Sequence, residues 1–462
     1  MNIYIKIETK NRDLEPRFLL GLTAAERGHS VFLGPAGLTT HLAARRVLKP
    51  GIVHEKSITP APLRVAELQS YVRNGFVCTS QDEESGLLEE EYQRFAEMRF
   101  SKETLDLTKK VFAWGEHDRN GLLKQYPEII DLDEKVLATG SPRADMWRPE
   151  MKEFYKGTEI ERKFGRYILV VSNFTEVAGY NRTWQQIGFA RKSGYLNRGL
   201  DWQWMMSRAG YSYELAGLFI LGLLRVADEN PEMNFVFRPH LVENPKAWEA
   251  IIEDRPNISI VSRGSINRWV RNSELVIHNG CTTGFEAAIS QVPVVSYKPI
   301  TSVHDRPMSD RVSHQVFTED ELSKVVNEVV TSNGSQNRPL VGDIRILQDR
   351  FSNFGGRLAC DSIVDIWDTF KHDRLCQRNP TQIWRKNALV YQTRRRWAKF
   401  RSKLPLIDKA GALVQGHKFD SLTSAEVFDL HHNFIETLNR FERVKVRLHG
   451  EHLIQMSPRD EE

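Results

Sequence analysis

The chain has 462 residues, 40% of them hydrophobic and 27% charged, with a formal net charge of +4. That length exceeds what one hydrophobic core usually serves and predicts two domains plus an appendage, while the composition excludes a chain disordered throughout. The near balance of charge gives no ground for a nucleic-acid partner, and Cys78, Cys281, Cys360 and Cys376 form no C-x-x-C pair, so neither a zinc site nor a disulfide framework is indicated.

The opening MNIYIKIETKNRD lacks the basic start and apolar core of a secretory signal, and no apolar run is long enough to span a bilayer. The expected location is therefore the cytoplasm, peripheral to the inner face of the cell membrane. Ile3, Ile5 and Ile7 alternate as a first strand. Leu14, Phe18, Leu19, Leu22 and Ala25 then follow at helical spacing up to Gly28, and Ser30 to Leu33 gives a second strand. The segment joining the first strand to its helix carries Glu8, Lys10, Arg12 and Asp13. Helix 38–48, strand 52–54, helix 62–73 and strand 75–79 come next, and the last runs into Gln81-Asp82-Glu83-Glu84-Ser85-Gly86. Val111–Trp114 and Val136–Thr139 add two strands, the second ending in Thr139-Gly140-Ser141-Pro142-Arg143. Short strands alternating with helices predict a doubly wound parallel sheet.

A charged stretch from Pro149 to Arg166 reads as a hinge, and Tyr167–Val171 restarts the pattern, ending at Ser172-Asn173-Phe174. Residues 176–208, rich in Gly, Asn, Arg and Trp, read as a long loop or lid. Leu215–Val226 is an apolar core helix. Strand 235–237 leads to Arg238-Pro239-His240, helix 244–254 follows, then strand 258–261 and helix 265–272. Leu275–Ile277 is a buried strand, His278-Asn279-Gly280-Cys281-Thr282-Thr283-Gly284 a tight loop, Phe285, Ala288 and Ile289 the start of a helix, and Val292–Tyr297 a returning strand. Residues 341–372 read as a long helix. Residues 381–404 hold eight Lys or Arg and no acid, with Val390, Trp397, Phe400 and Leu404 near one face. That pattern suits an anionic membrane surface, or equally a helix packed on the protein with a solvated basic rim. Ser421–Leu448 reads as one more amphipathic helix. The expected division is 1–155, 160–372 and 373–462.

In an open parallel sheet, ligands sit at the carboxyl ends of the strands. Thr282 and Thr283 place hydroxyls beside the free N–H groups of a helix start, which suits a phosphate, and Glu286 turns a carboxylate toward ribose hydroxyls. A capping box made by Thr283 and Glu286 is the compatible structural alternative. Arg238 and His240 are expected at the same edge, where both would face an anion and the imidazole is available for proton transfer. In the first domain, Asp82, Glu83 and Glu84 crowd three carboxylates after a strand, so repulsion should raise at least one pKa and make a base; a solvated acidic turn is the alternative. Glu8 and Asp13 beside Arg12 make a second acidic loop, or a salt-bridged turn. Arg143, Asn173 and Asn181 are candidate substrate contacts, Asn279 and Gly284 candidate parts of the phosphate loop. No D-x-D motif follows a suitable strand end, so no metal and no cofactor beyond a nucleotide-sugar co-substrate are expected.

The segments IKIETKNRDLEPRFLLGLTAAERGHSVFLG, TSQDEESG, ATGSPRADMWRPE, FRPH, HNGCTTGFEAAISQVPVVSY and GHKFDSLTSAEVF resemble the bacterial surface carbohydrate biosynthesis protein family. The resemblance spans nearly the whole chain. It implies a GT-B-like fold of two Rossmann-type domains facing a cleft with a C-terminal helical extension, related in pattern to transferases using CMP-activated sugars. It matches Glu83, with Asp82 or Glu84, to an acidic motif, His240 to a His-Pro motif, and Thr282 with Thr283 to a hydroxyl pair. Ser85 stands between the acids and Gly86, and Leu241 stands where proline would follow the histidine. The implied function is a metal-independent glycosyltransferase of surface polysaccharide synthesis that moves a sugar from a nucleotide-activated donor, a CMP-sugar, to a glycan or lipid-linked acceptor. A CDP-polyol phosphotransferase and a non-catalytic scaffold subunit are the alternatives.

Overall fold

The computed structural model of the protein describes residues 1–44, 48–85, 87, 92–156, 159–197, 201–252, 255–332, 340–372, 393, 419 and 421–459. The basic stretch 381–404 lies outside the described residues, Thr393 excepted. The chain divides into two compact units: residues 1–85, 91–146 and 349–462 form the first, residues 86–90 and 147–348 the second.

The first unit contributes β1 (Asn2–Ile7), β2 (Ser30–Pro35), β3 (Ile52–Glu55), β4 (Val77–Ser80), β5 (Lys110–Ala113) and β6 (Val136–Ala138). The second contributes β7 (Tyr167–Val171), β8 (Asn234–Arg238), β9 (Ile258–Ile260), β10 (Leu275–His278), β11 (Val294–Tyr297) and β12 (His314–Val316). The chain closes with β13 (Val444–His449) and β14 (Leu453–Pro458) in the first unit. Near-continuous apolar runs such as Tyr-Ile-Leu-Val-Val in β7, buried at every position, are what a parallel strand covered on both faces requires.

The second sheet has the order β12-β11-β10-β7-β8-β9, all parallel. Winding goes one way from β7 through β8 to β9 and the other way from β10 through β11 to β12, so the direction reverses between β7 and β10, the place where ligands lodge in doubly wound sheets. Register makes the strand ends level, because Val171 pairs with both Arg238 and His278. The first sheet runs β13-β14-β2-β1-β3-β4-β5-β6. Its winding reverses between β1 and β3, and it is parallel except at the β13–β14 edge, where β14 lies antiparallel to β2. This is the two-sheet α/β architecture expected from the alternation of elements.

Three expected elements are corrected. Residues 176–208 are mainly helical: Thr175–Ala178, Thr183–Lys192 and then a 28-residue helix, Trp202–Glu229, which takes in the apolar stretch from Leu215. Its start is fixed by the Asp201 carboxylate, which accepts from the Gln203 amide at 3.0 Å, a local signal that the scattered aromatics obscured. The long helix expected over 341–372 is instead a 3-10 turn, Ile344–Leu347, and a helix, Ala359–Asp368, extended by a final 3-10 turn, Thr369–His372. Asn353 and Gly356 both adopt left-handed backbone and break the run. The C-terminal helix does form at Ser424–Leu438, started by a Thr423–Glu426 capping box, but Asn439 in left-handed conformation ends it. Val444, Val446 and Leu448 then alternate as β13.

Residues after Asp349 return to the first unit through specific contacts. Gly140, at φ +79°, lies so close to the Ser352 carbonyl that a Cβ there would stand 2.4 Å from the oxygen. The Asp145 carboxylate accepts from the Ala359 and Cys360 amides at 3.0 and 3.1 Å, starting helix Ala359–Asp368. Phe18 stacks on Phe434 of the C-terminal helix with ring centroids 6.0 Å apart.

Candidate functional site

At the carboxyl edge of the first sheet, the structure gathers the acidic and basic residues singled out above into one ion-paired net. Asp13 starts helix Lys10–Glu26 by accepting from the Glu8 and Thr9 amides at 3.2 and 2.9 Å. Its other oxygen accepts from Arg12 Nε at 2.6 Å, and Arg12 also pairs with Glu84 at 3.3 Å. Arg17 donates to Glu83 at 2.5 Å, both side chains almost fully buried. Arg99 grips Asp82 in bidentate fashion at 2.9 and 3.0 Å, and Arg143 donates to the Glu83 carbonyl at 3.0 Å. Glu8 pairs with Lys56, one residue beyond β3, so this pair occupies the point where the winding of the first sheet reverses.

The electrostatics of that net correct one expectation. Partial desolvation would push the half-exposed Glu84 carboxyl up, but Arg99, Arg12, Lys56 and Arg143 outweigh it and hold the group at about 2, so crowding by its acidic neighbours does not make Glu84 a base. Asp13 is likewise held well below the ordinary carboxylate range, with Arg12 and Arg17 overcoming its burial. The raised carboxyl nearby is Asp118, which burial lifts to about 7 and which accepts the Ser85 hydroxyl at the end of the same loop. No motif announced it: Asp118 sits on a helix turn of unremarkable composition, and only its burial distinguishes it.

The carboxyl edge of the second sheet is built differently. Arg238 ends β8 and is buried; its two terminal nitrogens donate to the Arg263 and Gly264 carbonyls at 2.8 and 2.5 Å, and its guanidinium lies over Trp269. Burial lowers it to about 10, opposed by the negative charge of Glu286, which places that buried carboxylate in its electrostatic reach. Two residues on, His240 is exposed, and its Nδ1 is 3.4 Å from the Val242 amide. Asn173, just after β7, donates to the Gly280 carbonyl at 3.4 Å, joining the two loops that flank the reversal point. Asn279 and Thr283 are buried, and Thr282 is half-buried.

The capping-box alternative for this helix start is not realised. The helix spans Thr283–Ile289, its N-cap is Thr282 in right-handed helical conformation, and no side chain caps it. His278 fixes the preceding turn instead. Its Nδ1 accepts from the Gly280 amide at 2.9 Å while Nε2 meets the Ser313 hydroxyl at 2.8 Å. Accepting at Nδ1 puts the ring proton on Nε2, and burial, with Lys298 adding to it, pushes the imidazole down to about 3, so it is neutral. Gly284 is required here, since a Cβ would stand 2.7 Å from His278 Nε2.

Sequence reasoning missed two further groups at this edge. Glu243 is buried and accepts from the Ser172 hydroxyl at 2.5 Å, the Phe174 amide at 2.6 Å and Trp248 Nε1 at 2.9 Å, so one carboxyl ties the loop after β7 to the segment after β8. Burial raises it to about 7 against these donors. Lys298, directly after β11, is buried and pairs with Asp310 and, at 3.0 Å, with Asp305. Ser296 completes that group by donating to Asp310 at 2.7 Å. The one available sign was a lone lysine closing the apolar strand Val294–Tyr297, at the carboxyl end where loops carry function.

No protein-family model matches this chain, and no curated protein sequence does. Among solved structures it is similar to a putative UDP-N-acetylglucosamine 2-epimerase from Listeria monocytogenes, with a TM-score of 0.50, 13% identity, and coverage of 82% of this chain and 99% of that one. It is also similar to the UDP-GlcNAc 2-epimerase of Neisseria meningitidis, solved with UDP-GlcNAc bound, at TM-score 0.47 and 14% identity over 80% of this chain and 100% of that one. The wall teichoic acid polymerase TagF matches at TM-score 0.47 and 9% identity over 80% of this chain and 88% of that one. At such identity the likeness is one of fold, and together with the strand orders it makes this a GT-B-like α/β protein with two Rossmann-type sheets. Among the described residues, no helix is long and apolar enough to cross a membrane.

Proposed function

We propose that the protein is a glycosyltransferase of bacterial surface polysaccharide biosynthesis that takes a sugar from a nucleotide-activated donor, a CMP-sugar in preference, and passes it to a glycan or lipid-linked acceptor without a metal ion. The observation that carries this reading is the level carboxyl edge of the second sheet. There the loops holding Asn173, Arg238 to His240 and Asn279 to Glu286 leave three adjacent strands around the reversal point between β7 and β10. Nucleotide-sugar metabolism is also what the Listeria protein of like fold is named for.

In this reading the second unit holds the donor. Arg238 has committed both terminal nitrogens to backbone carbonyls, so it acts on a phosphate through its fixed positive charge. His240, exposed, donates to a phosphate oxygen. The Thr282 and Thr283 hydroxyls add neutral donors, Gly284 lets the helix start close against His278, Asn279 orients the loop, and Glu286 meets the ribose. The first unit serves the acceptor. Asp82 and Glu83 are buried against Arg99 and Arg17, which suits them to shaping the loop. Glu8 and Glu84 keep more of their side chains exposed and are the carboxylates able to reach an acceptor hydroxyl, with Arg12, Asp13 and Arg143 setting the field around them. Glu84 is held near 2, so the base in this reading is assigned to Glu8.

A thermal-shift panel of CMP, CDP, UDP, GDP and their sugars tests the reading. A ligand that binds the native state at a hundred times its Kd adds about 2.7 kcal/mol of apparent stability. CMP or a CMP-sugar is expected to raise the melting temperature, less so in His240→Ala. A response to CDP-polyols alone moves the assignment to polyol phosphate transfer, and no response to any nucleotide ends it.

A further inference from the structure

We infer that helix Thr183–Lys192 and the first half of helix Trp202–Glu229 form a docking surface for an anionic lipid bilayer. This surface belongs to the second unit, is separate from 381–404, and stands whether or not the nucleotide reading does. Trp184, Phe189, Trp202, Met206 and Tyr213 are all exposed, Trp184 at 70% and Phe189 at 66%. Thus five of the large apolar side chains that the described residues leave in water fall within a span of thirty positions, and they include both exposed tryptophans. Trp202, Met206 and Tyr213 follow one another at spacings of four and seven, which puts them on one face of their helix. The two helices that carry these side chains pack against each other.

A cluster of this kind needs an occupant, and the charges nearby select one. Residues 177–214, which span this surface, contain five Lys or Arg against two acids, Asp201 and Glu214. Arg191 and Lys192, two and three residues after Phe189, are exposed and form no ion pair among the described residues. Indole and phenyl rings settle at the headgroup level of a bilayer, and each cation close to an anionic leaflet adds attraction that salt screens. A symmetric pairing of two copies through this face would set these cations against their own counterparts. The surface therefore fits acidic phospholipid better than a second chain.

The test is co-flotation of the full-length protein with vesicles of phosphatidylethanolamine and phosphatidylglycerol, beside vesicles of phosphatidylcholine alone. Binding to the anionic vesicles is expected, falling with added salt. It should weaken on the order of tenfold in Arg191→Gln/Lys192→Gln and by a similar factor in Trp184→Gln/Phe189→Gln. All four side chains are exposed, and an unchanged melting temperature confirms that each double variant is folded. Wild-type protein that floats with neither vesicle, or double variants that float as wild type does, overturns the inference. A wild-type dimer on size exclusion that the aromatic double variant splits also overturns it, in favour of a second copy.

Discussion

The two sheets present charged residues at their carboxyl edges in opposite ways. At the first edge nearly every acid meets a cation: Arg12 with Asp13, Arg17 with Glu83, Arg99 with Asp82, Lys56 with Glu8. Pairing there outweighs burial, so Asp13 and Glu84 are held down. At the second edge Arg238, His278 and Glu243 are buried mainly among neutral hydrogen-bonding groups, desolvation wins, and each moves toward its uncharged form. The first edge is thus a rigid field of fixed charges. The second is largely a neutral framework, with one buried ion pair, Lys298 with Asp310 and Asp305, beside Arg238 and the exposed His240.

The sharpest way to break this contrast is to remove one partner of the buried pair in the first unit. Arg17→Met leaves the Glu83 carboxylate buried without its cation, and should lower stability by about 3–5 kcal/mol in urea unfolding. A loss well under 1 kcal/mol would mean that the net is not held by pairing.

The second test uses pH. A carboxyl raised in the folded state keeps its proton after the unfolded chain has lost it, so its contribution to stability is complete below the unfolded value and is lost as pH rises to the folded one. For Glu243 the window runs from the ordinary 4.5 to about 7, a span of roughly 3 kcal/mol. Glu243→Gln should therefore flatten the fall in urea midpoint across that window, and Asp118→Asn should do the same in the first unit, where the window begins at 3.8. Glu84 has the opposite sign. Its stabilisation is present above 4.5 and is lost as pH falls toward 2.

Third in size, Gly284→Ala forces a methyl group against His278 and should cost about 1–3 kcal/mol in thermal unfolding. In the proposed reading it also weakens nucleotide binding, because the turn that offers Thr282 and Thr283 must move. The smallest effect is expected at the rim of the first net. Glu84 is half exposed, so Glu84→Gln should change the urea midpoint by less than about 1 kcal/mol even though two arginines touch it.

Most of the fold was legible in the chain. Eleven apolar strand segments alternating with helices identified two parallel sheets, because a strand buried on both faces must be written in Val, Ile, Leu and aromatic residues whatever surrounds it; β12, exposed at two of its three residues, was not among them. The same patterning located the loops after β1, β4, β8 and β10, and the candidate site residues, Asn181 excepted, were drawn from a strand's carboxyl end or the helix start beyond it. Legibility failed where backbone conformation depended on single residues rather than on periodicity. Asn353, Gly356 and Asn439 interrupt helices by turning left-handed, and Asp201 starts one inside a stretch that looked like a loop.

What the sequence by itself determined is therefore the class of architecture and the edges at which chemistry is expected, since burial periodicity follows from local composition. What only the tertiary structure decided is the state of the charged groups at those edges. Asp82, Glu83 and Glu84 look like mutually repelling acids in the chain, yet the fold brings Arg12 and Arg17 onto them from a helix distant in sequence and Arg99 from the helix that follows. Glu243 looks like an ordinary surface glutamate, yet it is buried under Ser172, Phe174 and Trp248. A carboxylate's proton affinity depends on which opposite charges and how much water lie within a few ångströms, and long-range packing alone sets both.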